Sequence, residues 1–170
     1  MARPFIAACF LALLLAPACR IEDHTPTGSR RDSEAVQALV AGYARTLSER
    51  DWKGARALFW ADASYAGPMI PGPGDTHQAV PIGLAINTIA RRVDGLDAQR
   101  FDVRVLRADV RQEGEVAAVW MTTRRRMPVA GGFAEGSWVE HLVLRRIGGE
   151  WRILSVTARP ARRPIHNDDR

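Results

Sequence analysis

The chain has 170 residues, of which 46% are hydrophobic and 25% charged, and a formal net charge of +5. That balance suits one globular domain and excludes a disordered, collagen-like or disulfide-scaffold protein. The positive charge invites a nucleic-acid partner, but the cations are arginines scattered over several segments, with Lys53 the sole lysine, and an export signal opens the chain; no nucleic acid is expected.

That signal is "MARPFIAACFLALLLAPAC", with Arg3 near the start, an apolar run from Phe5 to Leu15 and a small-residue boundary at Ala16-Pro17-Ala18. It reads as a signal peptide over residues 1–18. The run falls short of the roughly 20 apolar residues that cross a bilayer, and no later stretch approaches that length, so no membrane helix is expected in the mature chain. Cys19 follows the boundary directly, and the pattern resembles the lipobox of bacterial lipoproteins, in which that cysteine carries a lipid. Ala16 stands where leucine is usual, which leaves simple secretion after Ala-x-Ala as the alternative. Cysteine arithmetic favours the lipid: Cys9 leaves with the signal, and Cys19 would otherwise be a lone thiol in an oxidising compartment. The expected location is the membrane surface, facing the periplasm or the cell exterior, through a lipid on Cys19. Residues 19–31 form a polar tether, "RIEDHTPTGSRR" after the cysteine.

A first helix is expected over 33–49, where Val36, Leu39, Val40, Tyr43 and Leu47 share one stripe, with Asp32 or Ser33 as its cap. Asp51 caps a short second helix carrying Trp52, Ala55, Leu58 and Phe59. "ASYAG" reads as a brief strand ending at Gly67-Pro68, and "GPMIPGPGDTHQ" as a loop. Residues 79–93 show helical spacing through Ile82, Ala85, Ile86, Ile89 and Val93, with Pro81 in the first turn. Four strand-like segments follow, "RFDVRVLRADV", "EVAAVWMTTRRR", "SWVEHLVLRR" and "EWRILSVTA", separated by glycine-bearing turns that favour antiparallel hairpins. Residues 161–170 are a polar tail. Helices first and strands last argue for an α+β fold, three N-terminal helices on one face of a curved antiparallel sheet, with the domain spanning 32–160.

That order, with "GYARTLSERDWKGARALFWADASYAGP" early and "VLRRIGGEWRIL" late, resembles the nuclear-transport-factor-2-like superfamily, which includes SnoaL-like cyclases and ketosteroid isomerases. The resemblance implies a cone-like sheet around the helices, a pocket inside the cone, and homodimers formed through the sheet's outer face. It also implies roles. Tyr43, on the inward stripe of the first helix, matches a tyrosine that donates to a substrate oxygen; its other reading is core filling. His141, counted back without gaps from Gly149, falls where those isomerases carry an acidic residue; its other reading is the opposite face of the sheet. Gly67 takes the place of their general base and has no group to move a proton.

Phe59 and Trp120 are candidate pocket residues beside Tyr43 and His141, Trp120 alternatively serving core or dimer contact, as would Trp138 and Trp151. His77 with Asp75 lies on the proline-rich loop, where solvation is the simpler reading. Arg124-Arg125-Arg126 ends a strand, with Arg125 turned opposite to its neighbours, so at least one face there is positive; a solvated strand end is the simpler reading, and an acidic ligand or lipid headgroup the other. Metal-ligand spacings, a phosphate-cradling loop and a nucleophile elbow are absent from the sequence, so neither metal nor cofactor is expected. The leading expectation is an exported domain binding a small apolar or amphipathic molecule, possible without catalysis. The alternatives are a lyase of the SnoaL-like or isomerase and dehydratase type, acting on an apolar carbonyl compound with Tyr43 and His141 as its catalytic groups, and a homodimeric envelope interaction protein.

Overall fold

A computed structural model describes residues 30–68, 78–94, 101–129 and 132–161. The signal peptide, Cys19, nearly all of the tether, the loop with Asp75 and His77, and the tail beyond residue 161 lie outside the described residues.

Helix α1 spans Arg30–Ser48 and buries Val36, Val40, Tyr43, Ala44 and Leu47, the stripe that three-and-four spacing produces. It begins before the expected start, so Asp32 lies inside its first turn instead of capping it. Its carboxylate instead accepts from Arg146 Nη1 at 2.7 Å, across to the last hairpin. The helix stops at a Schellman-type turn: Asp51 N–H reaches the Thr46 carbonyl at 2.9 Å and Arg50 N–H reaches Leu47 at 3.1 Å, with Arg50 itself at φ 60°. Asp51 then caps α2 (Trp52–Ala57), accepting from Gly54 N–H at 2.8 Å.

Strand β1 (Phe59–Ala66) starts earlier than expected and takes Phe59 out of the helical stripe. Residues 79–81 are also not helical: they form a short strand, β2 (Ala79–Pro81), paired antiparallel with β1, and α3 begins only after the proline (Ile82–Val93). Pro81 has no N–H to donate and sits at the cap, where none is needed. The long strands β3 (Asp102–Glu113), β4 (Val116–Val129), β5 (Gly132–Ile147) and β6 (Glu150–Pro160) follow as antiparallel neighbours.

The fold is α+β, with six strands in the order β2-β1-β6-β5-β4-β3 curving without closing. One pair departs from the antiparallel expectation. β1 and β6 run parallel, because α3 and the four strands between them form a long crossover that returns the chain beside β1 in the same direction. Alternation gives each long strand one inward set: Ala117, Val119, Met121, Thr123, Arg125 and Met127 on β4, and Trp138, Glu140, Leu142 and Leu144 on β5, all buried. On β6 the inward set changes parity, from Ile153 to Val156, across an irregularity opposite Val143/Leu144. These faces close on α1 and α3 in one hydrophobic core. Among the described residues no helix is long and apolar enough to cross a membrane.

Candidate functional site

Inside the cone, two charged side chains are sealed within this apolar core. Arg125 is 3% exposed and Glu140 0%. Each sits at an inward position of its strand, so the alternation that buries Met121 and Leu142 buries them too. Arg125 Nη2 lies 2.6 Å from Glu140 Oε2. The other carboxylate oxygen accepts the Thr123 hydroxyl at 2.6 Å, and Tyr43 directs its hydroxyl at Oε2 across 3.4 Å. The guanidinium also stands 4.7 Å from the centre of the Trp138 ring, a cation–π contact in a desolvated setting.

The electrostatics follow from this geometry. Burial holds the proton on Tyr43, and the neighbouring Glu140 charge adds to it, outweighing the opposite pull of Arg125, so the phenol titrates well above 10.0. For Arg125, burial works against the charge, but Glu140 more than offsets it, with Tyr65 and Tyr43 adding smaller contributions, and the net shift is upward. Arg125 is therefore a permanent cation. The Arg125 Nη2–Glu140 contact is short, yet its angle is poor for a hydrogen bond, and Arg125 Nε has no partner among the described residues.

Beside this polar end lies an apolar chamber lined by Phe59, Tyr65, Ile86, Ile89, Phe101 and Met127, with Tyr43 and Arg125 at its boundary. Its void is about 20 Å³, room for about one water molecule. Tyr43 and Phe59 meet edge to face with ring centres 5.8 Å apart, and the Tyr65 hydroxyl donates to the Pro68 carbonyl at 3.0 Å.

Of the four residues expected to share a pocket, the structure brings Tyr43 and Phe59 together and separates the other two. Trp120 is 56% exposed and stacks on His141, ring centres 4.6 Å apart, on the outer face of the sheet. The two are direct cross-strand partners, so they share a face. That face is the outer one, because the inward residues of β5 are Trp138, Glu140, Leu142 and Leu144. Tyr43 and His141 thus lie on opposite sides of the sheet and cannot act on one substrate; the acidic neighbour of Tyr43 is Glu140, one residue earlier. Sequence reasoning missed Glu140 and Thr123, and it set Arg125 apart from its neighbours without placing it in the core: the solvated strand end expected there does not hold for Arg125, which is buried. The available signal was parity: Arg125 alternates in step with Val119, Met121 and Met127.

Gly67 is held by the backbone. Its φ is +137°, and a Cβ there would stand 2.0 Å from the Ala158 carbonyl oxygen on β6. Among the described residues no group of three or more His, Cys, Asp or Glu side chains is arranged to hold a metal ion.

A family profile described as SnoaL-like domain matches residues 29–157. No curated protein matches the sequence. Among solved structures, a protein of unknown function with a cystatin-like fold from Nostoc punctiforme PCC 73102 superposes with TM-score 0.60 at 14% identity, covering 81% of this chain and 96% of that one. An NTF2-like protein with a cystatin-like fold from Novosphingobium aromaticivorans gives 0.54 at 18%, covering 75% and 80%. The CaMKII hub of S. rosetta gives 0.60 at 14%, covering 75% and 95%. At these identities the likeness is one of fold.

Proposed function

The chain belongs to the SnoaL-like domain family, and from that premise we propose that it binds a small, largely apolar molecule in the chamber inside its cone. One observation carries the reading: a guanidinium, 3% exposed, borders an apolar chamber with a donor nitrogen that no described residue satisfies. Burying an ion pair is a poor route to stability, since apolar residues of the same volume often serve as well or better. A buried, incompletely satisfied charge in a cavity wall is what a binding site needs for orientation. The void holds about one water molecule, so a larger ligand enters by displacing side chains of the α3 wall, Ile82, Ala85, Ile86 and Ile89. Binding without chemistry is favoured over the lyase reading, because Gly67 offers no base and His141 faces away from Tyr43. Titration of the intact chain with ethylbenzene, followed at the Ile86 and Met127 methyl resonances, tests it; saturable shifts are expected, and unmoved methyls at saturating probe overturn it.

A second reading concerns partners. The outer sheet face leaves Trp120, Leu106 and Val116 each more than half exposed, which favours a second copy of the chain as their cover. We further propose, from the first 19 residues, that the protein is exported and held at a membrane surface by a lipid on Cys19. Cys19→Ser then shifts it from the membrane to the soluble fraction; unchanged fractionation refutes the anchor.

A further inference from the structure

Resting on the chamber reading, we propose that the ligand is an uncharged, mostly apolar molecule with one hydrogen-bond-accepting oxygen, and that Arg125 Nε, not the Tyr43 hydroxyl, takes that oxygen. The polar end of the chamber can be followed donor by donor. The Thr123 hydroxyl is spent on Glu140 Oε1 at 2.6 Å. The Tyr43 hydroxyl is directed at Oε2. The Tyr65 hydroxyl is spent on the Pro68 carbonyl. None of these protons is free to meet a ligand.

Arg125 differs. In a guanidinium, the Nε–H and one Nη2–H point the same way and form a fork that suits two oxygens side by side. Glu140 offers an oxygen to Nη2 at 2.6 Å, while Nε is buried without a partner among the described residues. Neither arm has a well-aligned hydrogen-bond acceptor among the described residues, but Nη2 has its ion-pair contact with Glu140, so Nε is the arm left open. Leaving such a donor unmet carries a desolvation penalty, which a ligand oxygen removes on binding. A ligand end that donates finds the Glu140 oxygens already facing three donors.

Charge narrows the class further. Arg125 and Glu140 offset each other, so a ligand carboxylate would set a second negative charge beside Glu140 in a dry space, where like charges repel with little screening. A ligand ammonium would face Arg125. A neutral carbonyl, amide or sulfoxide oxygen meets neither obstacle, and the void of about 20 Å³ beside Arg125 already has room for a group of water size.

Three probes of similar shape separate the possibilities when added to the intact chain: acetophenone, ethylbenzene and benzoate, read at the Arg125 Nε–H resonance and at the Ile86 and Met127 methyls. Acetophenone is expected to shift both sets and to bind at least about 10-fold more tightly than ethylbenzene, as a hydrogen bond to a charged donor implies. Benzoate binds more weakly than acetophenone, and its affinity rises as pH falls. Arg125→Lys, which keeps a cation opposite Glu140 but lacks the fork, removes the ketone's advantage over the hydrocarbon. Equal affinity for ketone and hydrocarbon with an unmoved Nε–H, or tightest binding of benzoate at neutral pH, overturns the ligand class while leaving the chamber reading intact. Methyls unmoved by every probe overturn both. Should Arg125→Lys fail to fold, the three-probe comparison on the unaltered chain decides.

Discussion

At the scale of single residues, the buried Arg125–Glu140 pair dominates the energetics. Removing one partner strands the other charge in the core, so Arg125→Met or Glu140→Leu alone is expected to cost about 3–5 kcal/mol. The double variant recovers most of that loss, remaining below the parent by about 1–3 kcal/mol because the Thr123 and Tyr43 hydroxyls lose their acceptor. Urea unfolding of the three variants measures this, and strictly additive losses would mean the two groups are not coupled. Tyr43 gives a pH signature. Its phenol is held well above 10.0 in the fold but ionises near 10 in the unfolded chain. Between those values the unfolded state has released a proton that the folded state keeps. Its contribution is therefore full below about pH 10 and declines as pH rises toward the folded value. Tyr43→Phe should flatten that alkaline decline, and absorbance of phenolate at 295 nm in a Tyr65→Phe background should stay low until the protein unfolds. At this scale Tyr43 was legible from helical spacing alone. Glu140 and Arg125 were not, because alternation sorts a strand into two faces without saying which one the helices cover.

Secondary-structure elements are fixed by a few local devices. Asp51 at the head of a six-residue helix has little else to hold its first turn, so Asp51→Ala should cost about 1 kcal/mol. Gly67→Ala should cost more. The conformation alone is worth about 1–3 kcal/mol, and the added methyl meets the Ala158 carbonyl at 2.0 Å, pushing apart β1 and β6. Denaturant midpoints of the two variants rank them, and a Gly67→Ala loss no larger than that of Asp51→Ala would show that the β1–β6 contact yields freely. The cap at Asp51, the stripe of α1 and all four long strands are written in local sequence. The start of β1 at Phe59 and the strand at 79–81 are not. Both depend on a neighbouring strand that supplies the hydrogen bonds, β6 for one and β1 for the other.

For the whole molecule, the sheet has two faces with different fates. The inner one is closed by α1 and α3, while the outer one carries Trp120 against His141, with no helix over it among the described residues. If a second copy covers that face, Trp120→Glu should convert a dimer to a monomer in sedimentation velocity without moving the Arg125 and Glu140 resonances. A chain already monomeric at high concentration would rule that partner out. The sequence by itself determined the α+β order and the inward stripe holding Tyr43, because helix period and strand alternation are local properties. Only the tertiary structure decided that Glu140 and Arg125 lie inside while His141 and Trp120 lie outside. The reason is that a one-residue change of register exchanges the two faces of a strand, and that choice is settled by what packs against the sheet.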